Sequence, residues 1–205
     1  MPKYVVEFIG TFFLVLAIGL APAEFGPIAV AAILMAMIYA GGHVSNAHYN
    51  PAVTIAMMIT GDCKKSDVAP YLLAELSGAG LGIALARHLA GGTVITSTFE
   101  NPMTLFIAEL VITFGLVWVI LNVATARALQ GNQFYGLAIA AIVAGGAYTV
   151  GTISGAAFNP AVAIALCGSE HLAWSQLWIY LTATFAGGAI AAFVFKRVVA
   201  GGKES

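Results

Sequence analysis

Apolar residues in this chain do not alternate with polar ones. They run in long blocks separated by short polar breaks. Six blocks approach the roughly 20 residues a helix needs to cross a hydrocarbon core: Tyr4–Ala21, Pro27–Gly42, Val68–Ala90, Met103–Ala124, Phe134–Val150 and Leu172–Phe195. Two shorter runs, Pro51–Ile59 and Pro160–Cys167, are too short to span, and each follows an Asn-Pro pair. Asn is a favoured helix N-cap and Pro suits the first helical turn. Each short run therefore reads as a half-helix beginning at its proline. Irregular backbone at membrane depth is tolerated only inside protein or along a wet cavity. The pattern predicts an all-α membrane protein of six spans and two re-entrant half-helices.

The two halves match. A shift of 109 residues carries Asn50 onto Asn159, and 14 of the 29 positions from Ile28 to Ala56 are identical at that shift. The rarer matches carry the weight: Tyr39 with Tyr148, Gly42 with Gly151, Ser45 with Ser154, Asn50 with Asn159, Pro51 with Pro160. Tyr71 pairs with Tyr180 and Gly78 with Gly187 at the same shift. The first spans match at a shift of 102, Glu7-x-x-x-Thr11-Phe12 with Glu109-x-x-x-Thr113-Phe114. Three spans per half is an odd number, so the second half enters from the opposite face. The expectation is one transmembrane domain over 1–205 made of inverted repeats, 1–101 and 102–205, sharing a site near the midplane.

Composition narrows the class. Sixty per cent of the 205 residues are apolar and 8% are charged, against about 25% charged in a soluble domain. The net charge of -1 points to no acidic or basic partner, and no stretch is basic enough for nucleic acid. No removable signal is expected, because the first apolar run continues to Ala21. One side of the membrane holds Lys3, Lys64, Lys65, Arg127, Lys196, Arg197 and Lys203, and the other only Arg87. The positive-inside rule makes the first side cytoplasmic, with both termini there. Cys63 and Cys167 then lie on opposite faces, and no disulfide between them is expected. No metal-ligand spacing, nucleophile–base pair or cofactor loop is present, so neither a cofactor nor an enzyme is expected.

The doubled Asn50-Pro51-Ala52 and Asn159-Pro160-Ala161 carry the mechanism. Each half-helix N-terminus bears a partial charge of about +0.5 e. Two such ends facing one point repel cations. Each Asn caps its helix through its oxygen and keeps its NH2 free to donate into the pore. A water held by its oxygen between two donors does not readily take a proton from the next water in file. A lone Asn-Pro is an ordinary helix start; two copies ahead of runs too short to span are not.

With these motifs the chain resembles the aquaporin (major intrinsic protein) family from end to end. The marks are Glu7-Phe8-Ile9-Gly10-Thr11-Phe12, the run from His43 through Asn50-Pro51-Ala52-Val53-Thr54, and Ser154-Gly155-Ala156-Ala157-Phe158-Asn159-Pro160-Ala161. Selection by pore diameter, hydrogen-bond lining and half-helix dipoles is the known behaviour of that channel type. The resemblance implies an hourglass pore in each protomer, a homotetramer in a lipid bilayer, and a narrow filter outside the Asn pair. That filter commonly has four residues, with an arginine directly after the second Asn-Pro-Ala. Here that position is Val162, and the other three map to Val30, Ala147 and Ala156. Such a filter is apolar and wide unless Tyr148 or Phe158 refills it. By resemblance, Glu7 and Glu109 anchor re-entrant backbone groups, although a matched intramembrane carboxylate pair also suits a proton-coupled transporter. Glu75 stands where many family members have Gln. His43 and His48 flank the cytoplasmic mouth, as pore-mouth donors, packing histidines or a pH gate. The reading is a passive channel, in the plasma (inner) membrane, for water and small neutral solutes such as glycerol, urea, ammonia or hydrogen peroxide. An ion channel of the same fold and a coupled secondary transporter are the rivals.

Overall fold

Proline punctuates the chain. It occupies the first helical turn, where its missing N–H costs nothing, in five of the eight α-helices of the computed structural model, which describes residues 1–91 and 97–200. The helices are α1 (Pro2–Leu20), α2 (Gly26–Ser45), α3 (Pro51–Thr60), α4 (Lys65–Ala90), α5 (Pro102–Ile120), α6 (Tyr135–Ser154), α7 (Pro160–Gly168) and α8 (Leu177–Phe195). A π-helical turn, Leu121–Thr125, extends α5, and another, Lys196–Ala200, extends α8. Among the described residues the only β-type pairing is a single bridge between Ser97 and Leu172. Lys203, counted above on the cytoplasmic side, lies outside the described residues.

Six helical stretches have the length and apolarity to cross a bilayer, and α3 and α7 do not. Their outward side chains include Val5, Ile9, Leu73, Leu81, Ile107 and Phe193, all exposed. Such an apolar outer wall suits lipid and not water.

Four boundaries differ from the hydropathy reading by three residues or more, the third span beginning at Lys65 instead of Val68. The second and fifth spans run on to Ser45 and Ser154, whose side chains accept loop N–H groups and whose carbonyls accept tyrosine hydroxyls, so the helix ends there with its polar groups satisfied. The last span begins at Leu177 after a short turn, Trp174–Gln176. Leu172 belongs instead to the loop bridged to Ser97, where it is buried. Hydropathy registers burial and does not separate loop from helix.

The repeats interlock by exchange. Helix α1 packs along α4 and α5 along α8, but α3 packs against α8 and α7 against α4. Glycine makes the long contacts close. A Cβ on Gly78 would collide with the Phe8 carbonyl oxygen, and one on Gly82 would lie 2.6 Å from that of Phe12. Gly187 sits in the same way on the Leu110 carbonyl of α5. Close backbone approach of this kind substitutes for the hydrophobic driving force that lipid removes.

At the Lys-rich end, Lys3 pairs with Asp67 at 2.6 Å, and the Tyr4 hydroxyl donates to the same carboxylate at 2.9 Å. Lys196 donates to the Ile59 carbonyl at 3.2 Å, placing a cation where the C-terminal dipole of α3 is negative.

The glycine contacts give a first prediction. Gly78→Val should lower the thermal stability of detergent-solubilised protein markedly, since overpacking of this kind costs about 1–3 kcal/mol. Gly80→Ala, where an added Cβ meets nothing within 4 Å, should leave it unchanged or raise it. Heating followed by size-exclusion chromatography distinguishes the two.

Candidate functional site: a pore between two half-helices

The loops that enter the membrane do so with an unusual backbone. Asn46, Ala47 and Tyr49 have φ of 65°, 49° and 50°; Gly155, Ala156 and Phe158 have 76°, 56° and 50°. These are the same positions at the shift of 109. Left-handed conformations at non-glycine residues cost of order 1–3 kcal/mol each and persist only when the surroundings over-determine them. Here the surroundings are carboxylates. Glu7 is fully buried and accepts the His48 N–H at 3.0 Å on Oε1 and the Tyr49 N–H at 2.7 Å on Oε2. Glu109, also fully buried, accepts the Ala157 N–H at 3.1 Å and the Phe158 N–H at 2.7 Å.

Further contacts complete each loop. Ser45 Oγ accepts the Ala47 N–H and Ser154 Oγ the Ala156 N–H, at 3.1 and 3.2 Å. The Tyr71 hydroxyl donates to the Ser45 carbonyl at 2.8 Å and the Tyr180 hydroxyl to that of Ser154 at 2.6 Å. The Tyr49 ring lies where Gly10 and Gly41 leave room for it, and its hydroxyl donates to the Met37 carbonyl at 2.9 Å.

The asparagines sit at the tips. Asn50 Oδ1 accepts the Ala52 N–H and Asn159 Oδ1 the Ala161 N–H, both at 2.9 Å. Their NH2 groups are not wholly free, as the sequence reading had them. Asn50 Nδ2 donates to the Phe158 carbonyl at 2.9 Å, and Asn159 Nδ2 donates to the Tyr49 carbonyl at 2.8 Å. Each asparagine therefore caps its own half-helix and ties itself to the other loop. One N–H per amide remains.

Around these tips lies a cavity of about 270 Å³. Its wall includes Asn50, Asn159 and all four residues mapped to a filter: Val30, Ala147, Ala156 and Val162. Aliphatic residues of α2, α5 and α6 supply much of the rest, among them Leu34, Ile38, Leu116, Ile120, Ile139 and Val143. Among the described residues no Asp, Glu, Lys or Arg lines it. Tyr148 is 56% exposed and does not line the cavity; Phe158 does line it, with its ring packed near Gly146 of α6.

His48 and His43 part company. His43 is exposed on α2 and does not line the cavity, whereas His48 is buried and does. His48 Nδ1 lies 2.9 Å from Thr54 Oγ1, and the Thr54 hydroxyl donates to Glu75 Oε1 at 2.7 Å. Glu75 Oε1 also accepts the Asn50 N–H at 3.3 Å. With Thr54 donating onward, Nδ1 carries the proton given to Thr54, and His48 Nε2 is an acceptor with no protein partner among the described residues. The second repeat has Ala157, Ala163 and Thr184 at these three positions. The polar chain thus belongs to one half only. The sequence reading left Glu75 undecided and did not single out Thr54; their contact crosses two helices and has no counterpart in the repeat that would mark it.

Two half-helices capped toward a common cavity, held by buried carboxylates inside six spans, define a membrane channel. The sequence model of the major intrinsic protein family matches residues 1–195. Aquaporin NIP1-4 of Oryza sativa subsp. japonica is 36% identical over 94% of this chain and 75% of its own length. Nodulin-26 of Glycine max is 33% identical over 97% and 78%. The X-ray structure of the aquaglyceroporin from Plasmodium falciparum superposes with a TM-score of 0.81 at 21% identity, over 97% of this chain and 96% of that one; at that identity it shows the shared fold. The chain belongs to the major intrinsic protein family. It is accordingly an integral membrane protein of a class that passes water and small solutes passively, and not an enzyme.

The anchors predict an order of stabilities. Glu7→Gln keeps one acceptor oxygen for two loop amides, and Glu7→Leu keeps none. Each buried donor left unpaired costs about 1–3 kcal/mol. The folded, monodisperse fraction after heating should fall from native to Gln to Leu, and Glu109 should behave alike. Equal stability of the three forms would remove the anchoring role.

Proposed function

We propose that this protein is a passive channel with a wide, apolar filter, carrying water together with small neutral solutes such as glycerol, urea, ammonia or hydrogen peroxide. The observation that supports this is the wall itself. Val30, Ala147, Ala156 and Val162 lie on one cavity with the Asn pair, and none of the four brings a charge or an aromatic ring; the Phe158 ring shares the wall but packs near Gly146 of α6. Small apolar side chains leave a broader opening than an arginine and an aromatic would. A solute passing them keeps its own hydrogen bonds to neighbouring water, then meets the remaining Asn50 and Asn159 donors at the half-helix tips.

Ions are rejected by two effects. An ion entering an uncharged apolar constriction sheds hydration with nothing to replace it, a cost of several kcal/mol. The two helix N-termini add a positive field that opposes cations. The same field and the paired donors break the proton wire. A coupled transporter needs ion ligands at the midplane; Glu7 and Glu109 spend both oxygens on loop amides, and Glu75 spends Oε1 on the Asn50 N–H and the Thr54 hydroxyl, with Oε2 lacking a partner among the described residues.

Within this reading the chain acts as one domain of two inverted repeats, 1–101 and 102–205. It assembles as a homotetramer in the plasma (inner) membrane, with both termini cytoplasmic. His48 serves as a fixed wall residue on the cytoplasmic side.

Stopped-flow light scattering on proteoliposomes tests the reading. Water efflux above protein-free vesicles is expected, with faster re-swelling in glycerol and urea gradients. Water flux with no solute flux would defeat the wide filter. Val162→Arg should cut glycerol and urea flux several-fold while water flux persists. Solute flux insensitive to that change would displace Val162 from the filter. In planar bilayers the native protein should show no unitary ion conductance; steady cation currents would favour the ion-channel reading that the missing arginine invites.

A further inference from the structure

Helix α7 has a second hollow at its back. Val162 and Leu166 face the pore cavity, while Ala161, Ile164 and Ala165 line a separate cavity of about 360 Å³ whose other wall is α4. The repeat explains why it exists. On the other side, Gly188 brings α8 so near α3 that a Cβ there would lie 3.1 Å from the Ala52 carbonyl oxygen. The corresponding residue of α4, at the shift of 109, is Ala79, which is buried. Its methyl group keeps α4 from closing on α7 in the same way. Gly80 follows, and a Cβ added to it would meet nothing within 4 Å. Space is left where the matching interface is tight.

The lining is graded from end to end. Leu76, Gly80, Ile83 and Ala84 form the deeper α4 wall, and Arg87, Ser169 and Trp174 form the rim. Leu76 to Arg87 is eleven residues of helix, about 16 Å, the length of roughly a dozen methylene groups. Arg87 stands three residues before the end of α4 and Trp174 is 60% exposed, the combination expected at a membrane–water boundary. The guanidinium has one protein partner among the described residues, Glu170 at 3.4 Å, and that pair is largely exposed. Exposed pairs of this kind contribute little, and phosphate is a better match for the guanidinium fork.

We propose that this cavity is a phospholipid site, with one acyl chain between α4 and α7 and the lipid phosphate on Arg87. The hydrocarbon fills an apolar groove in which Leu76, Gly80 and Ala84 are exposed, and braces α7 from behind, opposite the Val162 side chain. This goes beyond the permeation reading and does not depend on which solutes pass.

Trp174 reports on the site directly. The protein with Trp118→Phe and Trp178→Phe, leaving Trp174 as its single tryptophan, is reconstituted in galactolipid vesicles. Phosphatidylglycerol with brominated acyl chains is then titrated in, and bromine quenches the indole on contact. Quenching that saturates at low mole fraction is expected. Arg87→Gln should move the midpoint several-fold upward, and Gly80→Leu should abolish the saturating phase. If Gly80→Leu does not fold, the Arg87 variant decides alone, since its side chain is half-exposed. Quenching that merely tracks bulk composition, alike in all variants, would make this ordinary boundary surface and overturn the proposal. So would absent quenching, which would mean that protein, such as a second copy, covers the groove.

Discussion

Two buried carboxylates hold two loops in a conformation the chain would not otherwise adopt, and the pore follows from that. A carboxylate in the hydrocarbon interior is costly unless its oxygens are fully engaged. A loop at the same depth is costly unless its amides are. Glu7 and Glu109 resolve both problems at once, each accepting two consecutive amide N–H groups. The compensation is reciprocal, so neither element stands without the other. Left-handed backbone at Ala47 and Tyr49, and at Ala156 and Phe158, then becomes the geometry in which each half-helix starts at the middle of the protein.

What is repeated and what is not separates scaffold from specialisation. The carboxylates, the serine and tyrosine contacts, the asparagine caps and the close glycine at Gly78 and Gly187 all recur. The scaffold therefore needs them twice. Two features occur once. The His48–Thr54–Glu75 chain lies only in the first half. The gap behind α7 exists because Ala79 replaces what is Gly188 on the other side. Chemistry that differs between the two faces of a pore has to reside in such exceptions.

Much of the architecture was legible in the sequence because membrane burial writes long signals. Span number, half-helices and the Asn-Pro caps are local properties of runs and caps, and they appear where the pattern put them. The limits of spans two, three, five and six were less legible, because the apolar runs fade at Gly42, Val68 and Val150 while the helices continue to Ser45, Lys65 and Ser154, and because Leu172 looks like a start. The Glu7 and Glu109 contacts were suggested by family resemblance and not by spacing, since each reaches a loop more than forty residues away. The second bond of each asparagine amide was not legible at all. Nothing local to Asn50 says that its partner is the carbonyl of Phe158.

That cross-bonding has a consequence for biosynthesis. Asn50 and its acceptor are separated by 108 residues, and Asn159 and its acceptor by 110. A ribosome adding about 5–20 residues per second delivers the first tip some 5–20 s before the second arrives. During that interval the amide of Asn50 sits in a half-built translocation intermediate with no mate. Water, lipid headgroups or the insertion machinery itself must shelter it until the nascent C-terminal half descends.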